Sequence, residues 1–233
     1  MISVIVVTYN AVETLQKCLD SIYEQNYPLL DIIVIDGQST DGTVDIIQKN
    51  AAKIKYAISE KDEGIYDAMN KALFQINTPW VYFLGADDIL LPDFSKLIAE
   101  LTDPHAIYYA NVIYKGRKCV GQISAYRQAK SGIFHQSIIY PSSIFKKYKY
   151  NTRYKIAADY ALNMQLYKDK AYTFTYKDYV ISAYNDTGIS ALQKDINFEK
   201  DKNYLILKNF GISIWFRYIF RRLKSSFKKT NNG

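Results

Sequence analysis

Trp80-Val81-Tyr82-Phe83-Leu84-Gly85-Ala86-Asp87-Asp88 is an apolar run that ends, after two small residues, in a pair of adjacent carboxylates. A run this short and this apolar predicts a strand covered on both faces. Two acids at the end of a buried strand are costly to place there. In parallel sheets that end carries the ligands. Two readings stand for the pair. It holds a divalent cation against a phosphate, or it is an acidic turn that caps the next helix. The neighbouring segments decide between them.

Upstream, Ile2-Ser3-Val4-Ile5-Val6-Val7 is continuous and β-branched, and Thr8-Tyr9-Asn10 ends it. A helix is predicted from about Val12 to Gln25. Asn10 can cap it with Glu13 completing a capping box, and Val12, Leu15, Leu19 and Ile22 form the buried stripe. Cys18 lies near that stripe and reads as core. Asp31 to Ile35 is the second strand, and Asp36 to Thr43 is the turn into a second helix that runs to about Lys53. Ile54 to Ile58 is a third strand. Gly64 opens a helix whose Ile65, Ala68, Met69, Ala72, Leu73 and Ile76 fit helical spacing. Strands alternating with helices over short connections predict an α/β fold with a doubly wound, mostly parallel sheet.

After Pro104 the pattern becomes mixed. Ala106 to Tyr114 and Lys118 to Ile123 flank Lys115-Gly116-Arg117 as a hairpin. Ile156 to Lys168 is a helix, and Tyr172 to Tyr184 supplies one or two strands. Asp195 to Phe227 is helical with a break at Gly211. In its last part Ile212, Trp215, Phe216, Ile219, Phe220, Leu223 and Phe227 share one face, and Arg217, Arg221, Lys224 and Lys228 another. We divide the chain into residues 1–104 and 105–193, two halves of one domain that the resemblance described below implies to bind the nucleotide sugar and the acceptor, and 194–233, a helical basic membrane-associating tail.

The net charge of +7 is uneven. Eight Lys or Arg and no acid lie between Lys202 and Gly233, leaving 22 basic against 23 acidic residues in the rest. A neutral body with a cationic, apolar-striped tail predicts attachment to an anionic membrane surface. It does not suit a nucleic-acid binder, whose body would be basic. Two cysteines with no Cys/His cluster exclude a structural zinc site and fit a reducing compartment. No secretory leader is predicted, because no basic region precedes Ile2 to Val7. No stretch reaches the roughly 20 apolar residues of a spanning helix. The expected location is cytoplasmic, on the inner face of the plasma membrane.

Thr8-Tyr9-Asn10, Asp36, the Gly64 to Lys71 segment and Asp87-Asp88 all fall at predicted strand ends, which converge on one crevice in such a sheet. Asp36 can accept from a base or ribose. The Gly64 helix aims its first N–H groups at an anion. Lys71 adds a cation, with Asp67 one turn before it. Asp87 and Asp88 supply a ribose contact and a metal contact. Together these describe a nucleotide diphosphate site with Mn2+ or Mg2+. There is no G-x-x-x-x-G-K-[ST] and no G-x-G-x-x-G after the first strand, which disfavours P-loop enzymes and dinucleotide oxidoreductases. No G-x-S-x-G elbow occurs either.

Val4 to Asn10 and Val34 to Thr43 together resemble the opening of family 2 glycosyltransferases. Glu60-Lys61-Asp62-Glu63-Gly64-Ile65-Tyr66-Asp67-Ala68-Met69-Asn70-Lys71-Ala72 is similar to the subgroup found in bacterial O-antigen and capsule clusters. Phe83 to Asp88 falls where that family places its Asp-x-Asp motif, with Gly85 where many members carry Asp or Asn. The likeness is dense over residues 2 to 100 and thinner through His135-Gln136 and Ala157-Ala158-Asp159-Tyr160.

The resemblance implies a GT-A fold. It also implies an inverting, metal-dependent transfer of a hexosyl or N-acetylhexosaminyl group from a nucleotide diphosphate sugar, uridine-linked, to a lipid-linked oligosaccharide. By motif position Thr8, Tyr9 and Asp36 hold the nucleobase, Asp87 the ribose and Asp88 the metal. Asn10, Ser39, Gly64, Asp67 and Lys71 complete the expected nucleotide-binding set. Asp159 matches the catalytic base, though Asp also favours a first helical turn on its own account. His135 contacts the pyrophosphate or the metal, or is a hydrogen-bonded loop histidine; His105 is structural. A nucleotidyltransferase and a catalytically silent sugar-binding module are the competing readings. The first lacks a Gly-rich, basic loop after strand one. The second is hard to reconcile with intact Asp36, Asp88 and Asp159.

Overall fold

The computed structural model describes residues 1–28, 30–185 and 193–230, the side chains of 225–230 excepted. The chain runs through β1 (Ile2–Thr8), α1 (Leu15–Tyr23), β2 (Leu30–Asp36), α2 (Thr43–Lys49), β3 (Tyr56–Ser59), α3 (Ile65–Ala72) and β4 (Trp80–Gly85). It continues through β5 (Ile89–Leu90), α4 (Asp93–Ala99), β6 (Ala106–Tyr114), β7 (Arg117–Cys119), α5 (Ala125–Ser131) and β8 (Ile138–Pro141). It ends with α6 (Ala158–Lys168), β9 (Thr173–Tyr184), α7 (Ile196–Phe210) and α8 (Ile212–Thr230).

One sheet carries both halves, in the order β3-β2-β1-β4-β8-β6-β9-β5 with β7 on β6. β3, β2, β1 and β4 are mutually parallel. β8 then reverses against β4, and β6 against β8. The register pairs Thr8 with Asp36 and Val7 with Gly85, so the carboxyl ends of the parallel strands are level. Alternate β1 residues serve the two faces, as the strand period requires. Val4 and Val6 meet Leu15, Cys18, Leu19 and Ile22 of α1, and Ile5 and Val7 meet Ala68, Met69 and Ala72 of α3. Each fully buried Val, Leu, Ile or Met side chain among these contributes about 1.5–3 kcal/mol.

The alternation was legible, and its details shifted for local reasons. α1 begins later than expected. Asn10 sits at φ 47°, and its side chain accepts from the Thr40 amide instead of capping α1. Thr14 is the N-cap, and Val12 is exposed. The Ala11 and Val12 amides go to Thr43 and Asp41, which tie the loop after β1 to the loop after β2. On α3 the buried face includes Tyr66, and Ile65 points outward. The hairpin turns at Lys115-Gly116, both at positive φ, in the two-residue form that matches strand twist. Its second strand, expected over Lys118 to Ile123, is only Arg117–Cys119, because Val120 and Gly121 take positive φ and leave the ladder. α5 went unanticipated; Ser124 caps it by accepting from the Arg127 amide. His105 is structural, with Nδ1 3.2 Å from the Ala171 carbonyl.

Gly211, at φ 82°, closes α7 where a side chain would be strained, and α8 turns away. The apolar residues of α8 divide between two surfaces. Ile214, Trp215 and Tyr218 pack on the core shared by α6 and α7. Ile212, Phe216, Phe220 and Leu223 form an exposed ridge, at 62%, 59%, 68% and 54% exposure. Arg217, Arg221 and Lys224 are exposed beside it. Phe227 and Lys228 lie outside the residues whose side chains are described. No helix among the described residues is long and apolar enough to cross a membrane.

This division sets an expectation. Trp215→Ala lowers stability by about 1–3 kcal/mol, while Phe216→Ser and Phe220→Ser stay within about 0.5 kcal/mol. Urea unfolding of the three variants checks it, and the opposite ranking would put the other face of α8 against the domain.

Candidate active site

The carboxyl ends of β1 and β4 open onto a cavity of about 1020 Å3. Thr8, Tyr9, Asn10, Gly64, Asp87, Asp88, His135 and Asp159 all line it, so most of the residues singled out in the sequence meet here. Asp36, Ser39, Asp67 and Lys71 do not line it. The Asp36 carboxylate is fully buried and accepts from the Ser39 amide at 2.9 Å and from the hydroxyls of Ser39 and Ser59. Ser39 in turn accepts from the Asn10 amide at 2.8 Å, which fixes the loop that presents Tyr9. Lys71 pairs with Glu60 at 2.9 Å and with Asp67 at 3.7 Å.

The acid pair splits into two environments. Asp88 is 1% exposed, and its oxygens are met by protein donors. Gln136 Nε2 donates to Oδ2 at 2.9 Å, the Asn185 amide to Oδ1 at 2.9 Å and the Gly85 amide to Oδ2 at 3.3 Å. Gln136 is held in its turn, its carbonyl accepting from Tyr82 at 2.6 Å and Ser182 at 2.9 Å. Burial pushes the Asp88 carboxyl up to about 6, against the opposing pull of the Asn185 amide, His135 and Gln136. Asp87 is less buried and has no side-chain partner among the described residues. Burial raises its carboxyl as well, and His135 opposes the rise. Gly85 leaves room for both carboxylates, which would have to shift for a larger residue. A Cβ there would stand 2.8 Å from Asp88 Oδ2 and 2.9 Å from Asp87 Oδ1.

Two buried polar atoms on the cavity lack a protein partner among the described residues: Thr8 Oγ1 and His135 Nε2. Such atoms are costly unless a ligand or water satisfies them. His135 Nδ1 lies 3.9 Å from Asp159 Oδ2, beyond hydrogen-bond range. Asp159 stands in the first turn of α6, and its Oδ1 is 2.7 Å from the Tyr66 hydroxyl. That hydroxyl is also 2.8 Å from the Ile156 carbonyl, and its one proton serves either acceptor. Burial first, and then the Asp159 charge, hold the Tyr66 phenol well above its usual range, so it remains a donor. The segment entering α6 is fixed by Asp195, the N-cap of α7, which accepts from the amides of Ile156 at 2.8 Å and Ala157 at 3.2 Å.

Sequence reasoning did not single out Tyr66, Asn185 or Asp195. Tyr66 had a signal: it stands three residues before Met69, on the buried stripe of α3. The other two act through contacts between distant segments, for which one sequence carries no cue.

The arrangement is a carboxylate-lined crevice at a topological switch of the sheet. The chain matches the family described as Glycosyl transferase family 2 over residues 3–173, and it belongs to that family. It is 32% identical over 200 residues to the PGL/p-HBAD biosynthesis glycosyltransferase of Mycobacterium tuberculosis, covering 81% of this chain and 78% of that protein. It is 25% identical over 259 residues to the dolichyl N-acetyl-alpha-D-glucosaminyl phosphate 3-beta-D-2,3-diacetamido-2,3-dideoxy-beta-D-glucuronosyltransferase of Methanococcus voltae, covering 95% and 80%. Among solved structures, residues 1–349 of S. aureus TarS superpose with a TM-score of 0.72 at 22% identity, covering 99% of this chain and 73% of that one. The chain spans 42% of the longer TarS chain. The mannosyltransferase PcManGT of Pyrobaculum calidifontis, in complex with GDP-Man and Mn2+, gives a TM-score of 0.63 at 22% identity, covering 94% and 64%. These likenesses establish the GT-A fold. The protein is a family 2 glycosyltransferase acting in glycoconjugate biosynthesis. Membership decides against the nucleotidyltransferase and silent-module readings.

Asp88 sets a pH dependence of stability. Its folded-state pKa of about 6 stands above the ordinary 3.8, so folding favours the protonated form. Its contribution is full below about pH 3.8 and is lost as pH rises through about 6. The loss is at most about 3 kcal/mol. In chelator, Asp88→Asn should gain on the wild type by up to that amount between pH 4 and pH 7. A pH-independent difference between the two would show that Asp88 does not titrate in this range.

Proposed function

We propose that the protein transfers a sugar from a uridine diphosphate sugar to a lipid-linked saccharide, with inversion, at the cytoplasmic face of the plasma membrane. One observation carries the reading. Asp87, the unpartnered Thr8 Oγ1 and His135 Nε2, and the Tyr66-supported Asp159 share one cavity at the carboxyl ends of the parallel strands. Solved TarS complexes with UDP and with UDP-GlcNAc support the donor class. The name of the Methanococcus relative, with its dolichyl-linked sugar phosphate, supports a lipid-linked acceptor.

A divalent cation fits this site if it is shared with substrate. Among the described residues no three His, Cys, Asp or Glu side chains converge as a cage. Mg2+ or Mn2+ held jointly with phosphate oxygens needs only one or two carboxylates. Motif position implies Asp88 as the ligand, but its oxygens are taken by protein donors, so Asp87, with no side-chain partner among the described residues, and the buried His135 Nε2 are the groups that would hold it, with Asp88 behind them. When bound, such an ion offsets charge on a departing diphosphate.

Asp159 is the group placed to take the acceptor's proton. Tyr66 donates to one of its oxygens, which leaves the other for the acceptor hydroxyl. Thr8 Oγ1 satisfies its hydrogen bond with the nucleotide. Tyr9, 67% exposed at the cavity edge, offers a ring face to the base. At the membrane, the exposed ridge of α8 enters the interface, and Arg217, Arg221 and Lys224 meet anionic head groups. Each cation near such a surface adds on the order of 1 kcal/mol.

A screen of nucleotide sugars, scored by release of nucleoside diphosphate, tests the activity. Turnover should stop in excess chelator and return with Mn2+ or Mg2+. Asp159→Asn should lose roughly 10²- to 10⁴-fold in transfer with unchanged UDP affinity. Tyr66→Phe, which loosens the carboxylate without removing it, should lose roughly 10- to 100-fold. Near-normal transfer by Asp159→Asn would remove that residue from the chemistry.

The membrane reading makes a separate prediction. The protein should cosediment with phosphatidylglycerol vesicles more than with neutral ones. Salt should weaken the cationic share, screened over about 8 Å at physiological ionic strength. The double variant Phe216→Ser, Phe220→Ser should lose most binding. Equal sedimentation of wild type and variant would count against the ridge.

A further inference from the structure

Cations gather at another margin of the same cavity. Arg127 on α5, Lys194 just before α7 and Lys202 on α7 all line it. Lys202 has a side chain only 13% exposed, seated over the rings of Tyr160 and Phe198 at 5.1 and 5.6 Å. Burial lowers its pKa, and the nearby charges of Arg222 and Lys130 push the same way. The acid that faces this group is Glu199, 3.6 Å from Lys202 Nζ. Asp195 is occupied by three backbone amides, and Asp201 by Arg153 and Tyr154. The side chains of Arg127, Lys130 and Lys194 make no ion pair or hydrogen bond among the described residues.

Lys202, Lys130 and Arg222 share the one acid Glu199, with Arg127 and Lys194 on the same cavity, and like charges repel one another when the corner is empty. A multivalent anion reverses the sign of that interaction. Guanidinium and ammonium groups match phosphate oxygens, and Arg does so bidentately. The corner also has an apolar neighbour. Arg217 stacks on the Tyr126 ring at 4.1 Å, which lays α8 against α5. On α8 the ridge of Ile212, Phe216, Phe220 and Leu223 is exposed. A phosphate carrying a long apolar chain satisfies both surfaces.

We propose that the corner formed by α5, α7 and α8 binds the phosphate or diphosphate group of the lipid-linked acceptor, while the donor occupies the Asp87 margin. The proposal rests on the reading of the Asp87 margin as the donor site. The same phosphate chemistry is present in the donor's own diphosphate, so the test must separate the two.

The test uses the full chain with Mn2+ and saturating UDP, and farnesyl diphosphate as the probe, measured by titration calorimetry. The comparison variant is Arg127→Gln, Lys130→Gln, Lys194→Gln, whose three positions are exposed and leave the core intact. We expect farnesyl diphosphate to bind the UDP-loaded wild type and to bind the variant at least about 10-fold more weakly, with UDP affinity the same in both. Competition between farnesyl diphosphate and UDP would assign the cations to the donor and overturn the proposal. So would equal binding by wild type and variant. Inorganic pyrophosphate binding the UDP-loaded protein as tightly as farnesyl diphosphate would overturn the lipid part. Failure of the wild type to bind UDP at all would instead overturn the donor reading, which is a different result.

Discussion

The buried carboxylate of Asp88 is the constraint on which the site depends. It receives a side chain from the turn before β8, an amide from the residue just after β9 and an amide from Gly85 at the end of β4. These segments come from both halves of the chain, and the three hydrogen bonds bring them to one point. A charge placed there without donors would cost several kcal/mol. With them it stays buried, although its carboxyl is still raised. The consequence for function is positional. His135 precedes Gln136, and Asp87 precedes Asp88, so the hydrogen bond between Gln136 and Asp88 holds two cavity residues in place through their neighbours.

A second tie does for Asp159 what this one does for Asp87. Asp195 caps α7 and, with its other oxygen, accepts from the amides that lead into α6. Tyr66 reaches across from α3 to the same turn and to Asp159 itself. The carboxylate is therefore held by elements on both sides of it. α3 also rests on β1 and β2 through its buried face, so the proposed nucleotide end and the proposed base are referenced to the same strands.

The parallel half was legible because its strands are buried on both faces and read as continuous apolar runs, as Ile2 to Val7 and Val81 to Leu84 do. The break at Gly211 and the Lys115-Gly116 hairpin were legible for the same kind of reason, since local backbone chemistry fixes them. The start of α1 was misread because Asn10 bonds to Thr40 in a distant loop, and a capping pattern cannot reveal that competition. The convergence of Thr8, Asp87, Asp88, His135 and Asp159 followed from strand ends and motif order. The different environments of Asp87 and Asp88 did not, because Gln136 and Asn185 lie 48 and 97 residues from Asp88.

The split of α8 shows what amphipathic periodicity leaves undecided. The sequence presents one wide apolar face on this helix, and the fold uses only the side carrying Ile214, Trp215 and Tyr218. A wide stripe can serve two surfaces if the helix lies at the edge of its domain. Packing requires one of them and leaves Ile212, Phe216, Phe220 and Leu223 unused. Arg217 serves packing by stacking on Tyr126, but a basic strip beside unused apolar residues has no further role in a soluble interior, because packing gains nothing from Arg221 and Lys224. In the proposed membrane setting both strips acquire one, and the orientation follows. α8 lies along α5 and α7, the elements that bring Arg127 and Lys202 to the cavity. A surface that receives the ridge therefore also sits beside the cationic margin, and a lipid-borne acceptor reaches the site without leaving its bilayer.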